Sequence, residues 1–169
     1  YSGRSLEKEV ITIGKFLSSK NKRKIAIIGG SKISTKINLI NNLLKNVNTI
    51  VIGGAMANTF LLAQGRKIGK SLNEKSMVKI AKKIISNASK NKCKIILPVD
   101  AVVASNLREG GEFSEYNIEN IPNDGLILDI GKKSIAIIDK EISKTKEVLW
   151  CGPLGLFEKS PFHVGTASV

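Results

Sequence analysis

The sequence predicts an α/β protein with a Rossmann-like parallel sheet and helices on both faces, in three α/β/α layers. Two observations lead there. Short runs of β-branched and other apolar residues alternate with longer stretches of helical periodicity, joined by connections of crossover length. Three of the apolar runs also end in glycine-bearing turns: Lys24–Ile28 into Gly29–Gly30, Thr49–Ile52 into Gly53–Gly54, and Glu147–Trp150 into Cys151–Gly152–Pro153–Leu154–Gly155. In an open parallel sheet, ligands bind beyond the carboxyl ends of the strands. A glycine turn leading into a helix offers an anion close backbone N–H groups and a positive dipole end. Several such turns along one sheet edge predict a nucleotide site.

In chain order, Leu6, Val10, Ile13 and Leu17 fall near helical spacing, so a helix is expected from about Ser5, as its N-cap, to Ser18. Lys24–Ile28 reads as a buried strand. Ser34 or Thr35 is placed to cap a helix carrying Ile37, Ile40, Leu43 and Leu44, and Thr49–Ile52 completes a βαβ unit. Ala55 to about Ala63 forms a short helix. Asn73 caps a longer one with the stripe Met77, Ile80, Ala81, Ile84 and Ile85, before a strand at Lys94–Leu97. Val102–Ala104 extends the sheet, and polar 108–124, with Gly110–Gly111 and Pro122, is a loop or hairpin excursion. Leu126–Asp129 and Glu147–Trp150 are strands bracketing a helix at Ser134–Ile142. No internal repeat or low-complexity segment interrupts this order.

Composition narrows the class. A chain of 169 residues with 42% apolar and 24% charged residues is ordinary for one soluble domain with a core of its own. No apolar run approaches the roughly 20 residues that span a bilayer, and the N-terminal segment is unlike a signal peptide, so a cytoplasmic protein without a membrane partner is expected. Cys93 and Cys151 have neither CxxC spacing nor a nearby histidine, which argues against zinc or a redox pair. The net charge of +13 raises the question of nucleic acid. Lysine carries nearly all of it, in company with abundant isoleucine and asparagine, as an AT-rich coding bias would produce. The lysines are not gathered into an arm and stacking aromatics are few, so no nucleic-acid partner is expected.

The first turn, Gly29-Gly30-Ser31-Lys32-Ile33-Ser34-Thr35-Lys36, lacks the P-loop spacing GxxxxGK[ST], and neither it nor Gly53-Gly54-Ala55 is GxGxxG. What remains is Lys32 and Lys36, which at i, i+4 on a helix would repel unless an anion sat between them. Two solvated surface lysines fit that spacing equally well.

Six segments then resemble phosphoglycerate kinase in order and spacing: Ile-Gly-Gly-Ser-Lys-Ile-Ser-Thr-Lys-Ile (28–37), Ile-Gly-Gly-Ala-Met-Ala-Asn-Thr-Phe (52–60), Gly-Lys-Ser-Leu (69–72), Leu-Pro-Val-Asp (97–100), Leu-Asp-Ile-Gly (128–131) and Trp-Cys-Gly-Pro-Leu-Gly-Leu-Phe-Glu (150–158). The resemblance covers essentially the whole chain and only the carboxyl-terminal, nucleotide-binding half of that enzyme. It implies that residues 1–169 are an incomplete nucleotide-binding domain, with residues 1–19 in the interdomain helix region and the N-terminal triose-binding domain absent. The implied reaction moves a phosphoryl group between 1,3-bisphosphoglycerate and ADP, giving 3-phosphoglycerate and ATP in glycolysis. This chain would supply the ADP/ATP site of a monomeric enzyme, and the triose would bind the missing domain. By the same resemblance Lys36 reaches the transferring phosphoryl group and Lys32 the nucleotide phosphates, beside Gly29 and Gly30. Gly53 and Gly54 wall the adenine, Leu128 lines its pocket, Gly152, Pro153 and Leu156 shape the third turn, and Glu158 accepts the ribose hydroxyls. Mg2+ comes with the nucleotide, its aspartate ligand lying in a downstream GGGD[ST] segment that this chain lacks, so no metal ligand is expected here. Ala55 replaces the family's third glycine, Cys151 its asparagine and Leu107 a phenylalanine near the adenine, all at the expected site. The isolated chain is expected to turn over little or no substrate. The alternatives are a catalytically dead nucleotide-binding module and, further off, a basic scaffold or nucleic-acid binder.

Overall fold

Six of the seven strands lie where apolar, β-branched runs put them, and the sheets they form are two, not one. The structure, a computed structural model, describes residues 4–21, 23–107 and 111–169, with residues 4–10 as backbone only. Strands β1 (Lys24–Ile28), β2 (Thr49–Ile52), β3 (Lys94–Ile96) and β7 (Glu147–Cys151) form a parallel sheet in the order β3-β2-β1-β7. Register pairs Ile25 with Thr49 and with Val148, and Ile28 with Ile52 and with Cys151. All three glycine turns therefore leave the same edge at the same height.

Strands β4 (Asp100–Ala104), β5 (Phe113–Asn117) and β6 (Leu126–Ile130) form a separate antiparallel sheet, β5-β4-β6. This corrects the expectation that Val102–Ala104 and Leu126–Asp129 extend the parallel sheet. The physical reason is the connections. Pro98, without an N–H, breaks the ladder after β3. From β4 to β5 and from β5 to β6 the chain returns without a long crossover helix, which antiparallel pairing allows and parallel pairing does not. The excursion beginning at residue 108 is thus a hairpin whose second strand is β5, although residues 108–110 themselves lie outside the described residues.

Alternation along β1 shows the layering. Ala26 and Ile28 face a core with Phe16 of α1 (Arg4–Ser18), Ile40 and Leu43 of α2 (Ile37–Leu43), Met56 and Phe60 of α3 (Gly54–Ala63), and Ala81 and Ile84 of α4 (Val78–Lys90). Ile25 and Ile27 face Ile138 of α5 (Lys132–Ile142) and Leu154. A short α6 (Val164–Ser168) ends the chain. Both faces of β1 are buried, as a central parallel strand requires. Lys24, 2% exposed at the start of β1, is tolerated there because its Nζ donates to the carbonyls of Phe16 and Ser19, both at 2.6 Å, capping α1 with positive charge.

Helix starts differ from the expected ones. Arg4 already lies in α1, so Ser5 is inside the first turn and not its cap, and the side chains of Ser5, Leu6 and Val10 lie outside the described residues. Neither Ser34 nor Thr35 caps α2, whose N-cap is Lys36; the Thr35 hydroxyl donates to Lys32 O and the Ser34 hydroxyl to Glu74. Asn73 caps nothing: its amide donates to Ser71 O, and a 3-10 turn at Lys75–Met77 leads into α4. Short polar side chains have several backbone partners within reach, and tertiary contacts chose others. Helix α5 is capped from a distance by Asp100, whose carboxylate accepts from the Lys133 and Ser134 amides at 2.9 and 2.8 Å and from the Ser134 hydroxyl.

Candidate functional site

The three glycine turns are stitched together by their own backbones. Gly29 N–H donates to Cys151 O, Gly30 N–H to Pro153 O, Gly53 N–H to Ile28 O and Gly54 N–H to Leu154 O, at 2.9, 3.1, 2.9 and 2.8 Å. These amides are spent on neighbouring turns and are not presented to an anion, which corrects the expectation drawn from glycine alone. Close approach explains the residue type. A Cβ on Gly29 would run into the Pro153 carbonyl, and Gly54, at φ +65°, would bring one within 2.5 Å of Gly30 O. Met56 N–H donates to Gly30 O at 2.9 Å, so the first turn of α3 is also tied to the first glycine turn.

Beyond this junction lies a cavity of about 450 Å³. Its walls are largely apolar: Leu61, Leu72, Ile127, Leu128, Leu154 and Leu156 among others, with Glu158 also among the lining residues. The antiparallel sheet supplies a wall through β6, so the excursion that breaks the parallel sheet helps to build the pocket. Of the residues singled out from sequence, Gly30, Gly54, Leu128, Pro153, Leu156 and Glu158 line it. Gly29, Gly53 and Gly152 sit behind them in the stitched junction. Sequence reasoning missed Leu72 as a lining residue. It follows the Gly-Lys-Ser run and is 65% exposed, a large apolar side chain left at a cavity mouth. Asn58 was also missed; it is buried and its amide donates to Leu72 O at 2.9 Å.

The two lysines do not share a helix face. Helix α2 begins only at Ile37; Lys32 is exposed in the preceding turn and Lys36 is the half-buried N-cap residue. That turn is held by Lys36 N–H to Ile33 O at 2.8 Å, with Ile33 fully buried in the core beneath it. Lys36 Nζ reaches back across the junction to Cys151, 3.3 Å from Sγ and 3.5 Å from the carbonyl oxygen. It thus lies where the first and third glycine turns meet, with Gly30 and Gly152 alongside.

Asp129, beside Leu128, is 2% exposed and lines the same cavity. Its two carboxylate oxygens accept from Ile130 N–H at 2.9 Å and Gly165 N–H at 2.7 Å. Burial pushes the carboxyl up to about 6, against the opposing pull of those amides and of His163. Gly155 and Gly165 both press on this carboxylate closely enough that a Cβ at either would overlap it. The motif aspartate therefore ties α6 and the third turn to β6. Among the described residues, no group of three or more His, Cys, Asp or Glu is placed to hold a metal ion. No described helix is long and apolar enough to cross a membrane.

Comparison with known proteins places this arrangement. The family model described as phosphoglycerate kinase matches residues 1–169. A phosphoglycerate kinase of Methylorubrum extorquens is 47% identical over 169 residues, all of this chain and 42% of the relative. One of Bradyrhizobium diazoefficiens is 48% identical over 168 residues, again 42% of its length. The solved phosphoglycerate kinase of Coxiella burnetii superposes with a TM-score of 0.91 at 37% identity over 98% of this chain and 43% of that one. That of Pyrococcus horikoshii OT3 gives 0.81 at 28% identity, covering 99% and 43%. The chain spans about two-fifths of the length of these relatives, and with every strand, turn and cavity wall falling inside the matched region it belongs to the phosphoglycerate kinase family.

Proposed function

We propose that this chain forms the ADP/ATP site of a phosphoglycerate kinase. The observation that carries the reading is one junction where three glycine turns meet, with an apolar cavity on one side and the Lys36 ammonium at the turns themselves. A purine fits the apolar walls of Leu72, Leu128 and Leu156, with Gly54 close enough to pack on its face. Glu158, which lines the cavity, accepts the ribose hydroxyls. The phosphates then run past Gly30 toward Lys36, with Lys32 on the exposed side to follow them. Phosphoryl transfer asks a protein chiefly for positioning and charge stabilisation. A lysine suits this place, since a compact ammonium on a flexible stem can track charge as it moves from the acyl phosphate to ADP. Here Lys36 neutralises the phosphoryl group in flight and Lys32 the phosphates that stay. Because the amides of Gly29, Gly30, Gly53 and Gly54 are spent on carbonyls of the neighbouring strand and turn, these side chains carry the anion grip.

Mg2+ would come with the nucleotide and supply charge neutralisation there; among the described residues no cluster is placed to hold it, and its protein ligands are proposed to lie in the part of the relatives' length that this chain does not span. The same added length is assigned the 1,3-bisphosphoglycerate and 3-phosphoglycerate site. Glycolytic function in the cytoplasm, as a monomer without nucleic acid, completes the proposal. The test is titration of the chain with MgADP, MgATP and adenosine, read by calorimetry and by the fluorescence of its one tryptophan, Trp150, whose indole N–H donates to Gly152 O. Saturable binding of all three supports the reading. Failure of each to bind at millimolar concentration refutes it. A coupled assay on the chain alone is expected to show almost no turnover.

A further inference from the structure

We infer that Glu74 is a positioning residue for the phosphate grip: it tethers the loop that carries Lys32 and Lys36, so that nucleotide phosphates meet the lysines already in place. The inference rests on the nucleotide reading above. Ser34 lies midway between the two lysines. Its N–H donates to Glu74 Oε2 at 3.2 Å and its hydroxyl to Oε1 at 2.6 Å, so both carboxylate oxygens hold one residue of the loop. Of the loop's other hydrogen bonds, Lys36 N–H to Ile33 O and Thr35 hydroxyl to Lys32 O are internal and shape the turn, while the Lys36 ammonium contacts Cys151, a tie that is given up when the lysine turns to a phosphate. Ile33 anchors the buried side, and Glu74 fastens the exposed side.

Glu74 is itself held. Its backbone N–H donates at 3.0 Å to the hydroxyl of Thr59, a fully buried residue of α3, the helix that starts at the second glycine turn. Two residues earlier, Leu72 lines the cavity and is fixed through its carbonyl by Asn58. One short segment, 71–74, thus touches the base end of the site with Leu72 and the lysine loop with Glu74. Burial alone would raise the Glu74 carboxyl, but the Ser34 hydroxyl, the Ser34 and Ile33 amides and the charge of Lys32 together hold it below its ordinary value. It is therefore ionised at neutral pH, and its negative charge balances that of Lys32 when no phosphate is present. Binding to a loop already ordered costs less entropy than binding to a free one.

The experiment is calorimetry of ADP and adenosine binding to the chain and to Glu74→Ala, Glu74→Gln and Ser34→Ala. Adenosine occupies only the base end, so it serves as a control for folding and for the cavity. Glu74→Ala is expected to weaken ADP about fivefold or more while leaving adenosine unchanged, the scale of one or two lost hydrogen bonds. Ser34→Ala should move the same way by less. Glu74→Gln, which keeps one of the two acceptor oxygens and loses the charge, should fall between the parent and Glu74→Ala. An ADP-to-adenosine affinity ratio in Glu74→Ala within twofold of the parent's overturns the positioning role, whether both ligands bind normally or both are lost together. A parent chain that binds neither ligand overturns the nucleotide reading itself, and this inference with it.

Discussion

The ammonium nitrogen of Lys36 lies 3.3 Å from the sulfur of Cys151, joining residues 115 positions apart at the meeting point of two glycine turns. The contact gives the lysine a resting partner that accepts hydrogen bonds only weakly, since a thiol is a poor acceptor. A ligand phosphate is a far better partner, and the lysine has little to give up in turning toward it.

Replacing that thiol by an amide adds a donor that the thiol lacks. Cys151→Asn supplies an N–H donor for ribose or phosphate, a gain partly offset by an amide oxygen that holds Lys36 more firmly than sulfur does. We expect ADP to bind more tightly by about 0.5–1.5 kcal/mol, the usual net worth of one hydrogen bond. Calorimetry that shows no gain places Cys151 outside the nucleotide's reach. Iodoacetamide labelling of Cys151 is expected to slow under saturating MgADP by the same geometry.

Lys36→Ala tests the charge in flight. In an enzyme that joins this chain to the remaining length of its relatives, kcat should fall by about a hundredfold or more, with the nucleotide KM changed by only a few fold, as expected of a contact that strengthens in the transition state. Lys32→Ala should act mainly on KM. A kcat within twofold of the parent for Lys36→Ala assigns that lysine to the protein surface.

Asp129 predicts a pH dependence. Its carboxyl holds a proton up to about 6 in the folded chain and releases it near its ordinary value when unfolded. Between those two values the folded state binds more protons than the unfolded one. Its contribution to stability therefore falls as pH rises from about 4 to about 6 and is flat above, an effect on the order of 2–3 kcal/mol. Asp129→Asn should abolish this slope while losing one of the two amide hydrogen bonds at every pH. Urea unfolding of both proteins between pH 4 and 8 checks it: parallel stability curves would show that Asp129 titrates alike in both states.

Asp100→Ala removes the acceptor for two α5 amides, of Lys133 in a part-buried hydrogen bond and of buried Ser134, and for the Ser134 hydroxyl. Leaving those donors unpaired should cost about 2–4 kcal/mol of stability. Adenosine and ADP affinity are expected to hold at temperatures where the variant is folded, because Asp100 is not among the cavity's lining residues. Denaturant unfolding and ligand titration on the same samples separate the two effects.

What the sequence determined by itself is local. Buried strands announce themselves by continuous apolar runs such as Lys24–Ile28, and α4 and α5 by their apolar stripes, because burial on a sheet or a helix face repeats at fixed spacing. The motifs also sufficed to single out the residues that end up around one cavity: Gly30, Gly54, Leu128, Pro153, Leu156 and Glu158. Tertiary structure alone decided which carbonyl each glycine amide would meet, and so that the turns grip one another while Lys36 lies across their junction against Cys151 and Lys32 stays exposed. It likewise turned β4 and β6 into an antiparallel sheet, gave the cap of α5 to Asp100 from a neighbouring strand, and sent Ser34 to Glu74, 40 positions away. Hydrogen-bond partners of this kind carry no periodicity: a donor near a turn has several acceptors within reach, and only the packed core settles which one arrives at the right distance.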